Sequence, residues 1–201
     1  MNVFFFDIET VPTDRALQDN GLLDAQIKLE EPELIKKLSL SAATAKILCI
    51  GYAIEPPLDS PVNILHGDER EILQEFWKLA LDCHLFVGHN VLDFDFRFIW
   101  QRSIIHQIKP LRDISFARFR SDPIYDTMQE WSMWGREHIS LDSLSRALGV
   151  PSPKENLDGS KVYPYYRDGK LMDICEYCKR DVESVRQVYR WLTFAKGPGQ
   201  M

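Results

Sequence analysis

The stretch Val3-Phe4-Phe5-Phe6-Asp7-Ile8-Glu9-Thr10 constrains the fold more than any other part of this chain. Its Val and Phe content and its short length predict a buried strand over residues 3–8, which Pro12 stops. Such a strand belongs in the interior of a sheet, yet this one runs into acids. Asp7 and Glu9 stand two apart, so a strand projects both from the same face. A carboxylate-tipped buried strand is the natural centre of a sheet.

Further strands are expected over residues 46–54, ended by Pro56-Pro57, over 62–65, before the turn at His66-Gly67-Asp68, and over 85–88. Asp68 opens a helix with Ile72, Leu73, Phe76, Trp77 and Leu79 at helical spacing. A second helix is expected from Asn90 to about Ile105. A third runs from a Ser140 cap through Leu148, closed by Gly149 and Pro151. The last extends from Lys170 to about Phe194. Residues 14–44 read as a helical insertion or flap and 111–122 are ambiguous. Residues 151–169 read as a long loop, of a length that is often functional. Three consecutive strands followed by helix, strand, helix and helix suggest a mixed sheet flanked by helices.

A chain of 201 residues buries a core without disulfides, and one domain with a decorating insertion is the expectation. Its 45% apolar and 27% charged content excludes a disordered chain, a collagen-like repeat and a disulfide scaffold. No apolar run approaches the ~18 residues of a membrane span. The N-terminus lacks the basic region of a signal peptide. Cys49, Cys83, Cys175 and Cys178 read as reduced thiols, which points to the cytoplasm. The net charge of −6 ranks nucleic acid low as a partner. The charge is uneven, however. Residues 97–120 carry Arg97, Arg102, Lys109, Arg112, Arg118 and Arg120 against Asp113 alone. That group fits either a nucleic-acid backbone or a solvated helix face.

Two more acids join the first pair. Asp95 lies in the helix after the fourth strand. Asp181 lies in the last helix, with Tyr177 four residues earlier on the same face. Each feature alone has a bland explanation: a strand end, a helix-surface acid, a solvated pair. Together, four carboxylates repel one another and need a cation to hold them. Oxygen ligands favour Mg²⁺ or Mn²⁺ over zinc. Two such ions roughly 4 Å apart clamp the attacking and leaving oxygens of a phosphodiester displacement.

The order of these residues carries a resemblance. Phe6-Asp7-Ile8-Glu9-Thr10 resembles the first motif of DEDD-superfamily 3′–5′ exonucleases. Gly88-His89-Asn90-Val91-Leu92-Asp93-Phe94-Asp95 resembles the second, in the form found in the proofreading domain of family B DNA polymerases. Tyr177-Cys178-Lys179-Arg180-Asp181 resembles the third motif of the tyrosine subgroup. Ser140-Leu141-Asp142-Ser143-Leu144 through Leu148-Gly149-Val150 and Asp158-Gly159-Ser160 are similar to the run before that motif in stand-alone, polymerase-B-like exonucleases. The likeness spans most of residues 1–193 but not 14–44 or 111–135.

The resemblance implies an α/β, RNase H-like mixed sheet of about five strands flanked by helices. It makes residues 1–193 one exonuclease domain and 194–201 a flexible tail. It implies that Asp7, Glu9, Asp95 and Asp181 hold two divalent cations, Mg²⁺ or Mn²⁺, with Asp7 bridging both, and that Tyr177 orients the attacking water. Thr10 and Asn90 would contact the terminal nucleotide; Thr10 as a turn cap and Asn90 as a helix N-cap are equally good readings. The Asn90-to-Phe94 register selects Asp95 over Asp93, which is then a surface acid or a substrate-side neighbour. The implied reaction removes nucleoside 5′-monophosphates from the 3′ end of single-stranded DNA. Two alternatives stand beside it: an exoribonuclease of the same fold, and a catalytically silent binding module. The presence of all four acids and Tyr177 counts against the silent module. No polymerase-sized region follows, so a free exonuclease or a subunit working in trans with a polymerase or repair partner is expected.

Other features have ordinary explanations. Cys175-Glu176-Tyr177-Cys178 lies inside a helix and lacks a second ligand pair, so it reads as partly buried thiols. His89 adjoins the second motif but reads as a packed or capping histidine. Trp131 and Trp134, three apart, read as a core stripe rather than as base-stacking rings.

Overall fold

The computed structural model describes residues 1–22, 32–152 and 157–195. In chain order the elements are β1 (Val3–Pro12), α1 (Asp14–Asp19), α2 (Pro32–Ser39), β2 (Ala45–Glu55), β3 (Asn63–His66), α3 (Glu69–Ala80), β4 (Leu85–Gly88), α4 (Asp95–Ile105), β5 (Ile124–Asp126), α5 (Thr127–Trp131), α6 (Leu141–Leu148), a 3₁₀ turn (Gly159–Lys161), α7 (Val162–Arg167) and α8 (Leu171–Leu192). Among the described residues the strands form one mixed sheet in the order β3-β2-β1-β4-β5. β1–β2 and β2–β3 are antiparallel, while β1–β4 and β4–β5 are parallel. The acid-tipped strand is thus the central one.

Alternation along β1 explains both layers. Phe4, Phe6 and Ile8 enter a core with Phe76 and Trp77 of α3 and Phe96 of α4. The rings of Phe6 and Phe96 meet edge-on, 5.4 Å apart. Phe5 points the other way and packs with Val182 and Val185 of α8. Helices therefore cover both faces, which suits a strand this apolar. Asp7 and Glu9 continue the row begun by Phe5, so the pleat turns them toward α8.

Gly51 of β2 is paired with Asp7 in the sheet and lets α8 pass close by. A Cβ at Gly51 would lie 3.0 Å from both Cys178 Sγ and Val182 Cγ2. The Gly51 N–H donates to Cys178 Sγ at 3.2 Å. This close crossing delivers Tyr177 and Asp181 to the end of β1.

Several expectations need correction. The helix after β4 begins at Asp95, not Asn90; residues 89–94 form a turn. Asn90 has φ of 61°, outside helical space, and the backbone N–H groups of Asn90 and Leu92 are drawn to the Asp126 carboxylate instead. The region 151–169 is not simply a loop, for it holds the 3₁₀ turn and α7; residues 153–156 lie outside the described residues. The insertion over 14–44 is helical where described, holding α1 and α2 as expected, while residues 23–31 and 196–201 of the expected frayed tail lie outside the described residues. Trp131 and Trp134 do not form a helical stripe. Trp131 ends α5, and Trp134 follows in a turn with φ of 60°.

The basic stretch is also divided by folding. Arg102 is buried against Glu69, with N–O distances of 2.8 and 2.5 Å, and donates to Ala42 O. Arg112 caps the carbonyls of Ala80 and Cys83. No described helix is long and apolar enough to cross a membrane.

Candidate active site

The candidate site sits where β1 leaves the core. Asp7, Glu9 and Thr10 of β1, Asp95 of α4, and Tyr177 and Asp181 of α8 line one cavity of about 490 Å³. Ile35 and Lys36 of α2 and Val162 and Tyr163 of α7 form its outer wall. An adjoining opening is lined by Asn90, His89 and Met128 together with Asp7, Tyr177 and Asp181. All seven sequence-predicted residues thus reach this cavity or its adjoining opening.

Each side chain is held by its element. Asp95 is the first residue of α4, where an acid complements the helix dipole. Its Oδ1 accepts the N–H of Ile8 at 3.1 Å, the backbone group between Asp7 and Glu9. One potential ligand atom from each of Asp7, Glu9 and Cys178 lies within 4.8 Å of the others. The Cys178 thiol sits 3.4 Å from the Asp7 carbonyl and 3.6 Å from its Oδ2. Glu9, Asp95, Tyr177 and Asp181 are buried, and Asp7 is half-buried.

The electrostatics follow from crowding acids in low dielectric. Burial, then Cys178, Asp181, Asp95 and Glu9, push Asp7 well above the usual carboxylate range. Burial, Asp181 and Asp95 do the same to Glu9. Asp95 is pushed up to about 7, mainly by burial and despite the Ile8 N–H. Burial and the neighbouring carboxylates also raise Tyr177, so its hydroxyl keeps its proton. Asp7 and Glu9, with Cys178 beside them, form a cluster whose ligand atoms lie close enough together to hold a metal ion.

Asp93 lies away from the cluster, as the motif register requires. Its carboxylate takes both arms of the Arg118 guanidinium at 2.8 and 2.7 Å, with Arg97 at 3.8 Å. Thr10 lines the cavity, but its hydroxyl donates to Ser39 O at the end of α2, at 2.8 Å. Asn90 is not an N-cap; its N–H donates to Asp126 Oδ1 at 2.9 Å and the residue lines the adjoining opening.

Asp126 and the contact of Cys178 with Asp7 escape sequence reasoning, whereas His89 is packed as the sequence suggests. Asp126, fully buried, accepts the N–H groups of Asn90, Leu92, Met128 and Gln129, and so builds the turn that aims Asp95. The capping pattern Asp126-Thr127-Met128-Gln129 was its one local signal. His89 is pinned between Thr127 Oγ1 and Ile139 O, both at 2.9 Å; burial lowers it to about 4, so it is a neutral wall residue. Cys178, adjacent in sequence to Tyr177, touches Asp7.

Comparison with known proteins agrees with this architecture. The uncharacterized protein MJ0365 of Methanocaldococcus jannaschii is 23% identical over 167 residues, covering 79% of this chain and 92% of that protein. The family B DNA polymerase of the hyperthermophilic archaeon Pyrobaculum calidifontis superposes with a TM-score of 0.71 at 17% identity, over 96% of this chain and 24% of the polymerase. The chain therefore spans about a quarter of that polymerase, and the likeness is one of fold, α/β with a mixed sheet. Residues 59–199 match a family model described as a predicted 3′–5′ exonuclease related to the exonuclease domain of PolB, a stretch that includes Asn90, Asp95, Tyr177 and Asp181 and follows Asp7 and Glu9. On that match the chain belongs to the family of predicted 3′–5′ exonucleases related to the PolB exonuclease domain.

Proposed function

We propose that this protein is a 3′–5′ exonuclease that hydrolyses the terminal phosphodiester of single-stranded DNA and releases nucleoside 5′-monophosphates. The observation that carries the reading is the convergence of Asp7, Glu9, Asp95 and Asp181 on one cavity beside a protonated Tyr177. Those four carboxylates would hold two divalent cations, Mg²⁺ or Mn²⁺. When bound, the cations neutralise the phosphate and lower the pKa of water.

The chain's own contribution is placement. The Ile8 N–H fixes the Asp95 carboxylate in one orientation. Tyr177 acts as a hydrogen-bond donor and acceptor that orients the nucleophilic water, not as a base, because its neighbours hold its proton in place. Asn90 and Thr10 line the space for the terminal nucleotide. Asp126 positions the Asn90 turn. With all four cysteines free, the reaction is assigned to a reducing cytoplasm, alone or in trans with a polymerase or repair partner.

The test is a nuclease assay on 5′-labelled DNA and RNA oligonucleotides with Mg²⁺, Mn²⁺ or EDTA. A ladder shortening from the 3′ end, abolished by EDTA and by Asp7→Ala, is expected, with DNA cut faster than RNA. Equal cleavage by wild type and Asp7→Ala overturns the assignment. Faster cleavage of RNA reassigns the substrate.

A further inference from the structure

We propose that Cys178 joins Asp7 and Glu9 as the third protein ligand of one cation position, and that this position takes a thiophilic ion, Zn²⁺, in competition with Mg²⁺ or Mn²⁺. The proposal rests on the reading of Asp7 and Glu9 as cation ligands and adds to it the choice of metal.

In sequence, Cys178 has only Cys175 near it, and no second pair of cysteines completes a metal motif. Folding supplies carboxylates instead. Among the described residues, Asp7, Glu9 and Cys178 are the one group of three such side chains whose ligand atoms lie within 4.8 Å of one another. Cys178 Sγ is 3.6 Å from Asp7 Oδ2. A tetrahedral zinc ion, with Zn–S of about 2.3 Å and Zn–O of about 2.0 Å, holds its sulfur and oxygen ligands about 3.5 Å apart. The thiol and the Asp7 carboxylate are therefore already spaced as two ligands of one ion.

Two further observations point to a cation at this place. Glu9 is only 8% exposed and lines the cavity, yet among the described residues its carboxylate has no hydrogen bond or ion pair. A buried carboxylate without a donor is costly to ionise, and a cation removes that cost. The sulfur is also held as a ligand atom is held. The Gly51 N–H donates to Cys178 Sγ at 3.2 Å, and such a bond fixes a metal ligand and steadies its charge. Gly51 permits this approach, since a Cβ there would lie 3.0 Å from the same sulfur.

Asp7 and Glu9 line the cavity, while Cys178 is fully buried beside them. An ion thus arrives past the carboxylates and meets the thiol from the protein side. On binding it replaces the thiol proton, which leaves to solvent. Oxygen ligands alone favour Mg²⁺ or Mn²⁺, and one sulfur turns the preference toward Zn²⁺. Because the two carboxylates are shared, a zinc ion seated here excludes the harder ion from them.

The test uses Cd²⁺ and Zn²⁺ alone on the metal-free full chain, with a phosphine as reductant. Cd²⁺ bonds sulfur as Zn²⁺ does and reports it by a sulfur-to-metal charge-transfer band in the ultraviolet. Wild type should develop that band on titration with Cd²⁺, and Cys178→Ser and Cys178→Ala should lack it. In a competition followed by the electron paramagnetic resonance of free Mn²⁺, Cys178→Ser should lower the preference for Zn²⁺ over Mn²⁺ by about tenfold or more. No band in wild type overturns the proposal, as does a band that survives in Cys178→Ser. Equal weakening of Zn²⁺ and Mn²⁺ in the variants also overturns it, because a merely structural thiol acts on both ions alike. Cleavage of DNA by wild type with Mn²⁺ but no band ends the proposal and leaves the exonuclease reading standing. A band lost in Cys178→Ser, without cleavage in any metal, supports the thiol ligand and ends the exonuclease reading.

Discussion

The carboxylate of Asp95 accepts the backbone N–H of Ile8 at 3.1 Å, across 87 positions of sequence. This bond ties the first turn of α4 to the strand segment between Asp7 and Glu9. It also separates two roles of Asp95 that mutation can resolve. Asp95→Asn keeps an oxygen to accept from Ile8 but loses the charge, so the fold persists while activity falls by a factor of about 10² or more. Asp95→Ala leaves a buried N–H unpaired and costs a further ~1–3 kcal/mol of stability. Paired urea melts and nuclease rates separate the two. Equal stability of the two variants would mean that the hydrogen bond does not hold the site together.

The raised carboxylates give the metal-free protein a defined pH dependence. Burial and mutual repulsion lift Asp7, Glu9 and Asp95 in the folded chain, Asp95 to about 7, whereas unfolding returns each to the ordinary range near 4. Between those values the folded state binds more protons than the unfolded one, so stability is greatest at the acid side and declines as pH rises through about 7. The melting temperature in EDTA should fall by several degrees between about pH 5 and pH 8. Mn²⁺ should restore it, and should raise it far more at the upper pH. A metal-induced shift that is the same at both pH values would contradict this.

Tyr177 keeps its proton beside the acids, which makes it a positioning group for water. Tyr177→Phe should lower kcat by about 10²-fold while leaving Mn²⁺ affinity within about twofold of wild type. Calorimetric titration of the metal alongside turnover checks both halves. A variant that loses the metal but turns over normally per bound ion would assign Tyr177 to the metal instead.

Asp126 supplies two carboxylate oxygens to four backbone donors, and substitution should reveal the cost of disturbing either one. In Asp126→Asn the amide nitrogen meets an N–H where an acceptor stood. The expected loss is ~1–3 kcal/mol, with a fall in activity although Asp126 lines neither opening. A thermal melt and an oligonucleotide assay report the two effects. Full activity in a correspondingly destabilised protein would show that the Asn90 turn does not depend on this residue.

α8 crosses the sheet at Gly51, opposite Asp7, where an added Cβ would lie 3.0 Å from Cys178 Sγ and Val182 Cγ2. Gly51→Val should push Cys178 and Val182 outward, cost ~1–3 kcal/mol and displace Tyr177 and Asp181 from the acids of β1. Reduced Mn²⁺ affinity in a folded protein, measured by titration, is the specific readout.

Local pattern was enough for the elements that carry strong periodicity or capping. The apolar run before Asp7, the Asp68 cap of α3, and the Ser140 and Gly149 ends of α6 all stand where the sequence places them. Strand pleat and helical spacing put Asp7 beside Glu9 and Tyr177 above Asp181 without long-range information, but it was the resemblance of the three ordered motifs to DEDD-superfamily exonucleases that joined these residues to Asp95 in one site. β5 was not legible, since three residues hold no period, and it exists because β4 offers it a partner. The start of α4 moved from Asn90 to Asp95 because a carboxylate 36 residues away takes the N–H of Asn90.

The sequence by itself determined the central strand through local alternation, and the order of the four acids and the tyrosine carried the resemblance that marked them as one site. Only the tertiary structure decided what that order means. It brought α8 against Gly51 so that Asp181 faces Asp7, and it assigned Asp126 to the turn. It also divided the arginines between the core at Arg102 and the surface at Arg118. Those outcomes depend on burial and on which backbone groups lack partners, and both are properties of the packed molecule and not of any segment alone.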